Sequence, residues 1–167
     1  MIQRPAFIRN VAELPSSREG YEGDDELFSE GTPLSRPLGL SRLGVHHEVM
    51  PPGTRSSWPH AEEKEEEFVL VLEGEPHVWI DGYLHPLRAG DAIAFSPGTG
   101  IAHTFINDSS APVRLLVVGE RLADNRVYYP HHPEGYVGMA PGRRWSPETP
   151  HVLGGHDARP KAFRAQE

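Results

Sequence analysis

Four side chains in two stretches of the chain are of the types that bind transition metals. His60 and Glu62 stand two residues apart in WPHAEEKEEEFVLVLEG (58–74), Glu67 ends the same acidic run, and His103 lies between apolar residues in GIAHTFIN (100–107). On an extended strand His60 and Glu62 leave the same face, and a turn over 63–66 places Glu67 across from Glu62 on the next strand. Adjacent buried carboxylates repel unless a proton or cation separates them, so a divalent metal is the simplest partner for inward-pointing groups.

Each of these residues also has a plainer interpretation. Charge runs such as 62–67 are usually solvated turns that discourage edge pairing between strands. A lone histidine in an apolar strand is usually satisfied by a backbone carbonyl in the core. The metal hypothesis therefore depends on whether the elements bring the side chains together.

A pair of histidines precedes the first stretch, in SRLGVHHEVM (41–50). Alternation along a strand allows only one of His46 and His47 to face the interior. By parity with Val45 and Val49, His47 is the predicted inward residue, where it would contact substrate or donate a proton. The alternative is a packed or edge histidine.

Composition excludes several classes of partner and site. Asp and Glu number 24 against 16 Lys and Arg, a net charge of -8 that repels phosphate backbones, so no nucleic acid is expected. With no cysteine, thiolate sites and disulfides are excluded, and any metal must be held by histidine and carboxylate. No apolar run is long enough to span a membrane and no signal peptide is visible at the N-terminus, so we expect no membrane association and a cytoplasmic protein.

The elements that must position these side chains are short strands. Seventeen prolines and seventeen glycines disfavour long helices, and from Leu40 apolar runs of four to eight residues recur between turn signals. Two hairpins are predicted, one through Glu73-Gly74-Glu75 and one through Asp81-Gly82. An all-β sandwich or barrel is the predicted fold class.

The chain divides into three parts by composition. Residues 1–39 lack periodicity and are interpreted as an N-terminal arm, 40–121 as the β-barrel, and 122–167 as a Pro- and Gly-rich C-terminal tail that packs on the barrel or a partner. Strand FVLVL is apolar on both faces, so one face fills the barrel and the other needs a cover. A second subunit is one such cover, and we expect a homodimer.

Two spacings resemble the motifs of the cupin superfamily. Gly53, six residues, His60, one, Glu62, four, Glu67, six, Gly74 is similar to the first cupin motif, with Glu62 where the second histidine of HxH would stand. Gly90, six residues, Pro97, two, Gly100, two, His103, three, Asn107 is similar to the second, with one extra residue on each side of the proline. The resemblance covers roughly 40–121 and implies a small single-domain cupin, a double-stranded β-helix or jelly roll.

The resemblance also implies a metal site and a function. His60, Glu67 and His103 match three cupin metal ligands, Glu62 takes the place of the fourth, and the set suits Mn, Fe, Ni or Zn. We expect a metal-dependent enzyme acting on a small polar or carbohydrate-like molecule by isomerase, dioxygenase or lyase chemistry, the metal acting as a Lewis acid. Two carboxylates already neutralise a divalent ion, which favours a neutral hydroxylated carbonyl compound over a dianion. The alternative is a non-enzymatic ligand-binding or sensing cupin with a structural metal, because the barrel hosts both.

Overall fold

Short strands make up most of the regular structure, as the recurring apolar runs predict. The computed structural model describes residues 3–18 and 20–164; residues 1, 2 and 19 of the predicted arm and 165–167 of the predicted tail lie outside the described residues. A 3₁₀ helix spans Val11–Glu13 and a single helical turn, α1, spans Lys161–Arg164. The strands are β1 Ser17–Arg18, β2 Glu30–Pro33, β3 Leu43–Met50, β4 Thr54–Arg55, β5 Ala61–Glu62, β6 Glu67–Glu73, β7 His77–Ile80, β8 Tyr83–Pro86, β9 Ala92–Phe95, β10 His103–Asn107, β11 Val113–Glu120 and β12 Val127–Tyr128.

The strands form three antiparallel sheets. The largest has the order β1-β2-β3-β11-β6-β9, the second β4-β10-β7-β8, and a small third sheet pairs β12 with β5. The all-β prediction is therefore confirmed. No helix among the described residues is long and apolar enough to cross a bilayer.

The core lies between the two larger sheets. Its fully buried members come from both sheets: Met50, Val69, Val71, Val78, Phe105, Val113 and Leu115. The members from β6, Val69 and Val71, are two residues apart, and so are Val113 and Leu115 of β11, as expected of strands that fill a core with one face. Residues that share the register rows of Val69 and Leu115 therefore point into the barrel.

The other face of the largest sheet carries a second apolar surface. Phe68 and Leu72 on β6 are 40% and 44% exposed, and Leu116 pairs with Leu70 between them. The two-faced apolar character predicted for FVLVL is confirmed. The homodimer expected from this surface stays a prediction.

The two predicted hairpins have different outcomes. β7 and β8 pair directly through Asp81-Gly82, both at positive φ (45° and 93°), so that hairpin is confirmed. β6 and β7 lie in different sheets, so the turn at Gly74 is a corner that carries the chain from one sheet to the other, and the hairpin predicted there is wrong. The interpretation of β5 and β6 as partners is wrong too, because β5 pairs with β12 of the C-terminal segment.

The arm and the tail both contribute to the sheets. β1 and β2 of the arm extend the largest sheet at β3, and the turn after β2 is fixed to β3 because Leu34 N–H donates to the carbonyl of Val45. β12 of the tail covers β5, and further along Trp79 Nε1 donates to the carbonyl of His156 at 2.7 Å. A strand of the tail therefore packs beside the segment that carries the predicted ligands His60 and Glu62.

Candidate metal site and adjoining cavities

Three of the four predicted ligands converge at one end of the barrel. His60 and His103 form a backbone bridge between neighbouring segments, and Glu67 opens β6 on the facing sheet. Glu67 Oε1 lies 3.3 Å from His103 Nε2, and Glu67 Oε2 lies 3.9 Å from His60 Nε2. One donor atom from each of the three side chains lies within 4.8 Å of the other two.

His60 is oriented by its other ring nitrogen. Nδ1 lies 2.9 Å from the carbonyl oxygen of Trp58 and 3.2 Å from Ser57 Oγ. A carbonyl can only accept, so Nδ1 carries the proton and Nε2 presents its lone pair toward Glu67. Trp58 is itself fixed, because its ring is stacked between Tyr21 of the arm and His132 of the tail, at 4.1 Å and 3.7 Å between ring centroids.

His103 is held by burial and by an aromatic neighbour. Its ring is 1% exposed and stacks on Phe95 with 3.4 Å between centroids and 3° between planes. Burial lowers the pKa of His103, against the opposing effect of the Glu67 carboxylate, so the neutral imidazole is favoured. A backbone hydrogen bond with Ile101 also opposes the effect of burial on this pKa.

Glu67 is held as a carboxylate. Burial on its own raises its pKa, but the hydrogen bond from His103 and the charges of His103, His60 and His46 outweigh that effect, and the pKa is lowered. A charged carboxylate beside two imidazoles is the protonation state that metal binding needs.

Glu62 lies beside these donors, in a different environment. Its Oε1 is 3.8 Å from His60 Nε2, while its Oε2 accepts a hydrogen bond from Asn125 Nδ2 at 2.5 Å. It does not belong to the group whose donor atoms are mutually within 4.8 Å. Asn125 comes from the C-terminal segment, where the sequence contained no periodic signal that could have indicated it.

The predicted inward orientation of His47 is wrong. His47 is paired with Leu116, which belongs to the outer apolar face, and the pKa of His47 is lowered by burial and by Arg114. Its neighbours His46 and Glu48 pair with Val117 and Leu115 on the inner face. Parity with Val45 and Val49 failed because the outer face of this sheet is also apolar, so valines did not mark the interior.

Glu48 is a functional candidate that the sequence analysis missed. Ser29 Oγ donates to its Oε2 at 2.7 Å, and burial raises its pKa, with a further increase from the charge of Glu67 and a decrease from His60. It shares its face with Met50, which is fully buried. Parity with Met50 was the signal that could have identified both Glu48 and His46.

Two cavities adjoin this end of the barrel and share His46. One of ≈ 340 Å³ lies between β3 and the arm, with Glu48, Tyr21 and hydroxyls of Ser29, Ser56 and Ser57 in its wall. The other, of ≈ 440 Å³, reaches Glu67 and is bordered by the turn after β2 and the end of β11. A small molecule in the larger cavity would contact the predicted metal ligand Glu67. One in the smaller cavity would contact Ser57, which lies beside His60.

The donor set fits a transition metal. Two imidazoles and a carboxylate are ligands that Mn, Fe, Ni and Zn all accept, the Nε2 lone pair of His60 points toward Glu67, and His103 is neutral. The carbonyl that fixes the tautomer of His60 is the outer support usual for metal-binding histidines. With three protein donors, positions on an ion remain for substrate or water.

Known proteins resemble this chain in both sequence and fold. A family model described as a cupin domain matches residues 46–119. A sugar phosphate isomerase of a cupin superfamily from Silicibacter pomeroyi is 33% identical, with a TM-score of 0.60 over 68% of this chain and 77% of that chain. A proposed sugar phosphate isomerase from Acidithiobacillus ferrooxidans (24% identity, TM-score 0.71, 77% and 83% covered) and a polyketide cyclase from Streptomyces resistomycificus (19%, 0.59, 86% and 90%) share the fold. No curated protein matches the chain significantly.

Proposed function

Because the chain belongs to the cupin family and has its double-stranded β-helix, we propose that it is a metal-dependent enzyme that isomerises a small hydroxylated carbonyl compound of the sugar class. The metal is a divalent transition ion, one of Mn, Fe, Ni or Zn, held by His60, Glu67 and His103. When bound, such an ion polarises a substrate oxygen as a Lewis acid. The relative from Silicibacter pomeroyi, named a sugar phosphate isomerase, supports the choice of isomerisation over the dioxygenase and lyase alternatives.

The observation that carries this proposal is the carboxylate of Glu48 on the inner face beside the donors. Ser29 Oγ donates a hydrogen bond to it, and the charges of Glu67 and His60 both shift its pKa, so it lies near the donors without belonging to their group. A structural metal site does not need an additional acid-base group at its edge, whereas isomerisation does.

The residues divide the reaction as follows. Glu48 removes the proton from the carbon next to the carbonyl and returns it to the neighbouring carbon. Burial raises the pKa of Glu48, which makes its carboxylate a stronger base for a carbon-bound proton. His46, two residues earlier on the same face, lines both cavities and is placed to move a proton between hydroxyl oxygens. The hydroxyls of Ser29, Ser56 and Ser57 orient the hydroxylated substrate.

The test is exchange of the carbon-bound proton with solvent. Metal-loaded protein in D₂O is incubated with a panel of aldoses, ketoses and their phosphates, and deuterium at the carbon next to the carbonyl is followed by NMR. Glu48→Gln should slow exchange by about a hundredfold or more while keeping the metal content of the wild type. Glu75→Gln, at an exposed glutamate outside the cavities, is the matched control and should exchange normally.

Exchange by Glu48→Gln at the wild-type rate would show that Glu48 is not the base. A wild-type protein that holds its metal but exchanges no compound of the panel would instead behave as a binding or sensing cupin.

A further inference from the structure

We propose that Arg36 and Arg121 form an anion subsite at the Glu67 end of the barrel, which binds the phosphate group of a phosphorylated substrate. This inference rests on the proposed function and specifies its substrate class. It starts from the ≈ 440 Å³ cavity, whose wall includes Glu67 and His46 together with both arginines. A molecule in this cavity contacts a predicted metal ligand and two guanidinium groups at once.

Both arginines come from backbone that is fixed to the barrel. Arg36 follows Ser35, whose buried hydroxyl accepts a hydrogen bond from the N–H of Val45 on β3. Arg121 directly follows β11, and its N–H donates to the carbonyl of Arg42 at 3.0 Å. The two side chains therefore reach the same cavity from different elements.

A row of glycines keeps this end of the barrel open. Gly44 on β3 pairs with Gly119 on β11, and Gly119 pairs with Glu67 on β6, so all three share one register row. A Cβ on Gly44 would lie 3.5 Å from Cγ of Arg121, which places the stem of that arginine against the glycine. Because Gly44 and Gly119 have no side chains, the space between Arg121 and Glu67 stays open.

The charges of the two arginines are not neutralised within the described part of the chain. Neither side chain makes an ion pair or hydrogen bond with a described residue. The two other carboxylates in the cavity wall are engaged with backbone: Glu65 accepts from the N–H of Leu122, and Glu120 accepts from the N–H of Glu66. Three carboxylates and two guanidinium groups line the cavity, so an anion is favoured only at its arginine border, where both cationic groups are unpaired among the described residues and a divalent ion on Glu67 would add positive charge.

Phosphate is the anion that fits this arrangement. Guanidinium groups bind phosphate oxygens by paired hydrogen bonds, and two of them match the two charges of a phosphate monoester. Two carboxylate ligands would neutralise a divalent ion and disfavour a dianion, but the group of converging donors contains only one carboxylate, Glu67. One carboxylate leaves positive charge on a divalent ion, so the dianion is not disfavoured.

The test compares binding of fructose 6-phosphate and fructose to metal-loaded protein by isothermal titration calorimetry. Wild type should bind the phosphate at least about tenfold more tightly than the free sugar. Arg36→Met and Arg121→Met, which keep the stem and remove the charge, should each lose about tenfold in affinity for the phosphate and none for fructose. Arg88→Met, at an exposed arginine outside both cavities, is the control and should bind as wild type.

Equal affinity of wild type for the two probes, unchanged phosphate binding by both arginine variants, or an equal loss in Arg88→Met would each overturn the subsite. Binding is measured without turnover, so the two proposals fail separately. A protein that shows arginine-dependent phosphate binding but no proton exchange contradicts only the proposed isomerase. Glu48-dependent exchange without any effect of the arginines contradicts only the anion subsite.

Discussion

Glu62 and Glu67 belong to one acidic run, yet the fold gives them different roles. Glu67 opens β6 and approaches both histidines, whereas Glu62 is turned toward Asn125 and pairs through β5 with the C-terminal segment. An oxygen that accepts from a side-chain amide has that lone pair occupied. We therefore propose Glu67 as the carboxylate of the metal site and place Glu62, whose Oε1 lies 3.8 Å from His60 Nε2, at its edge.

This difference predicts unequal losses of metal affinity. Glu67→Gln removes a donor and should weaken metal binding by more than about a hundredfold, while Glu62→Gln, which changes a group beside the donors, should weaken it by about tenfold and at most a hundredfold. The measurement is competition for the metal against a chelating dye at fixed pH. Equal losses in the two variants would mean that Glu62 is a ligand, as its place in the HxE pattern predicts.

Individual residues were predictable where spacing alone decides the partner. The positions of His60, Glu67 and His103 within glycine-bounded motifs predicted the three donors that converge. Glu48 and Asn125 could not be found in this way. Alternation was ambiguous for Glu48 in a strand with two apolar faces, and Asn125 meets Glu62 across 63 residues of sequence.

At the scale of elements, the corner at Gly74 aligns the two sheets that carry the site. The φ of Gly74 is 90°, and a Cβ there would lie 2.8 Å from Cγ2 of Val113, itself in the core. Both features require glycine: a side chain would strain the backbone at this positive φ, and its Cβ would collide with Val113. This corner directs β6, with Glu67 at its start, into one sheet and sends the following strand into the other.

Alanine at this corner should destabilise the fold by strain and by overpacking together. We expect Gly74→Ala to lower the free energy of unfolding by about 2–5 kcal/mol, measured by urea denaturation. Gly90→Ala is the matched control, because its φ is 94° but a Cβ there meets no atom within 4 Å. It should cost about 1–2 kcal/mol. An equal loss of unfolding free energy in the two variants would show that overpacking against Val113 does not contribute.

Elements were predictable from the sequence as strands, but their partners only in part. Asp81-Gly82 marked a true hairpin because that dipeptide adopts the positive φ values of a two-residue turn. Glu73-Gly74-Glu75 has the same local appearance, yet β7 pairs with β10 and β8 instead of β6. Turn residues show where the chain changes direction. Which strands then pair depends on which of their faces must be buried.

At the scale of the whole molecule, one segment of the arm and one of the tail meet at the end of the barrel where the three donors converge. Tyr21 of the arm and His132 of the tail clamp Trp58, whose carbonyl orients His60. Because these contacts join aperiodic segments far apart in sequence, composition could indicate an arm and a tail but not their positions. The matched residues 46–119 contain the three donors, and the segments outside them supply the support and one wall of each cavity.

We propose that His60, Glu67 and His103 together hold one divalent ion. This proposal is tested most directly by crystals of protein purified without chelator, with anomalous diffraction recorded on both sides of the absorption edge of the metal found by elemental analysis. We predict one anomalous peak per chain, about 2.0–2.2 Å from Nε2 of both histidines and from an oxygen of Glu67. A peak bound elsewhere, or no peak between these three side chains, would contradict the account.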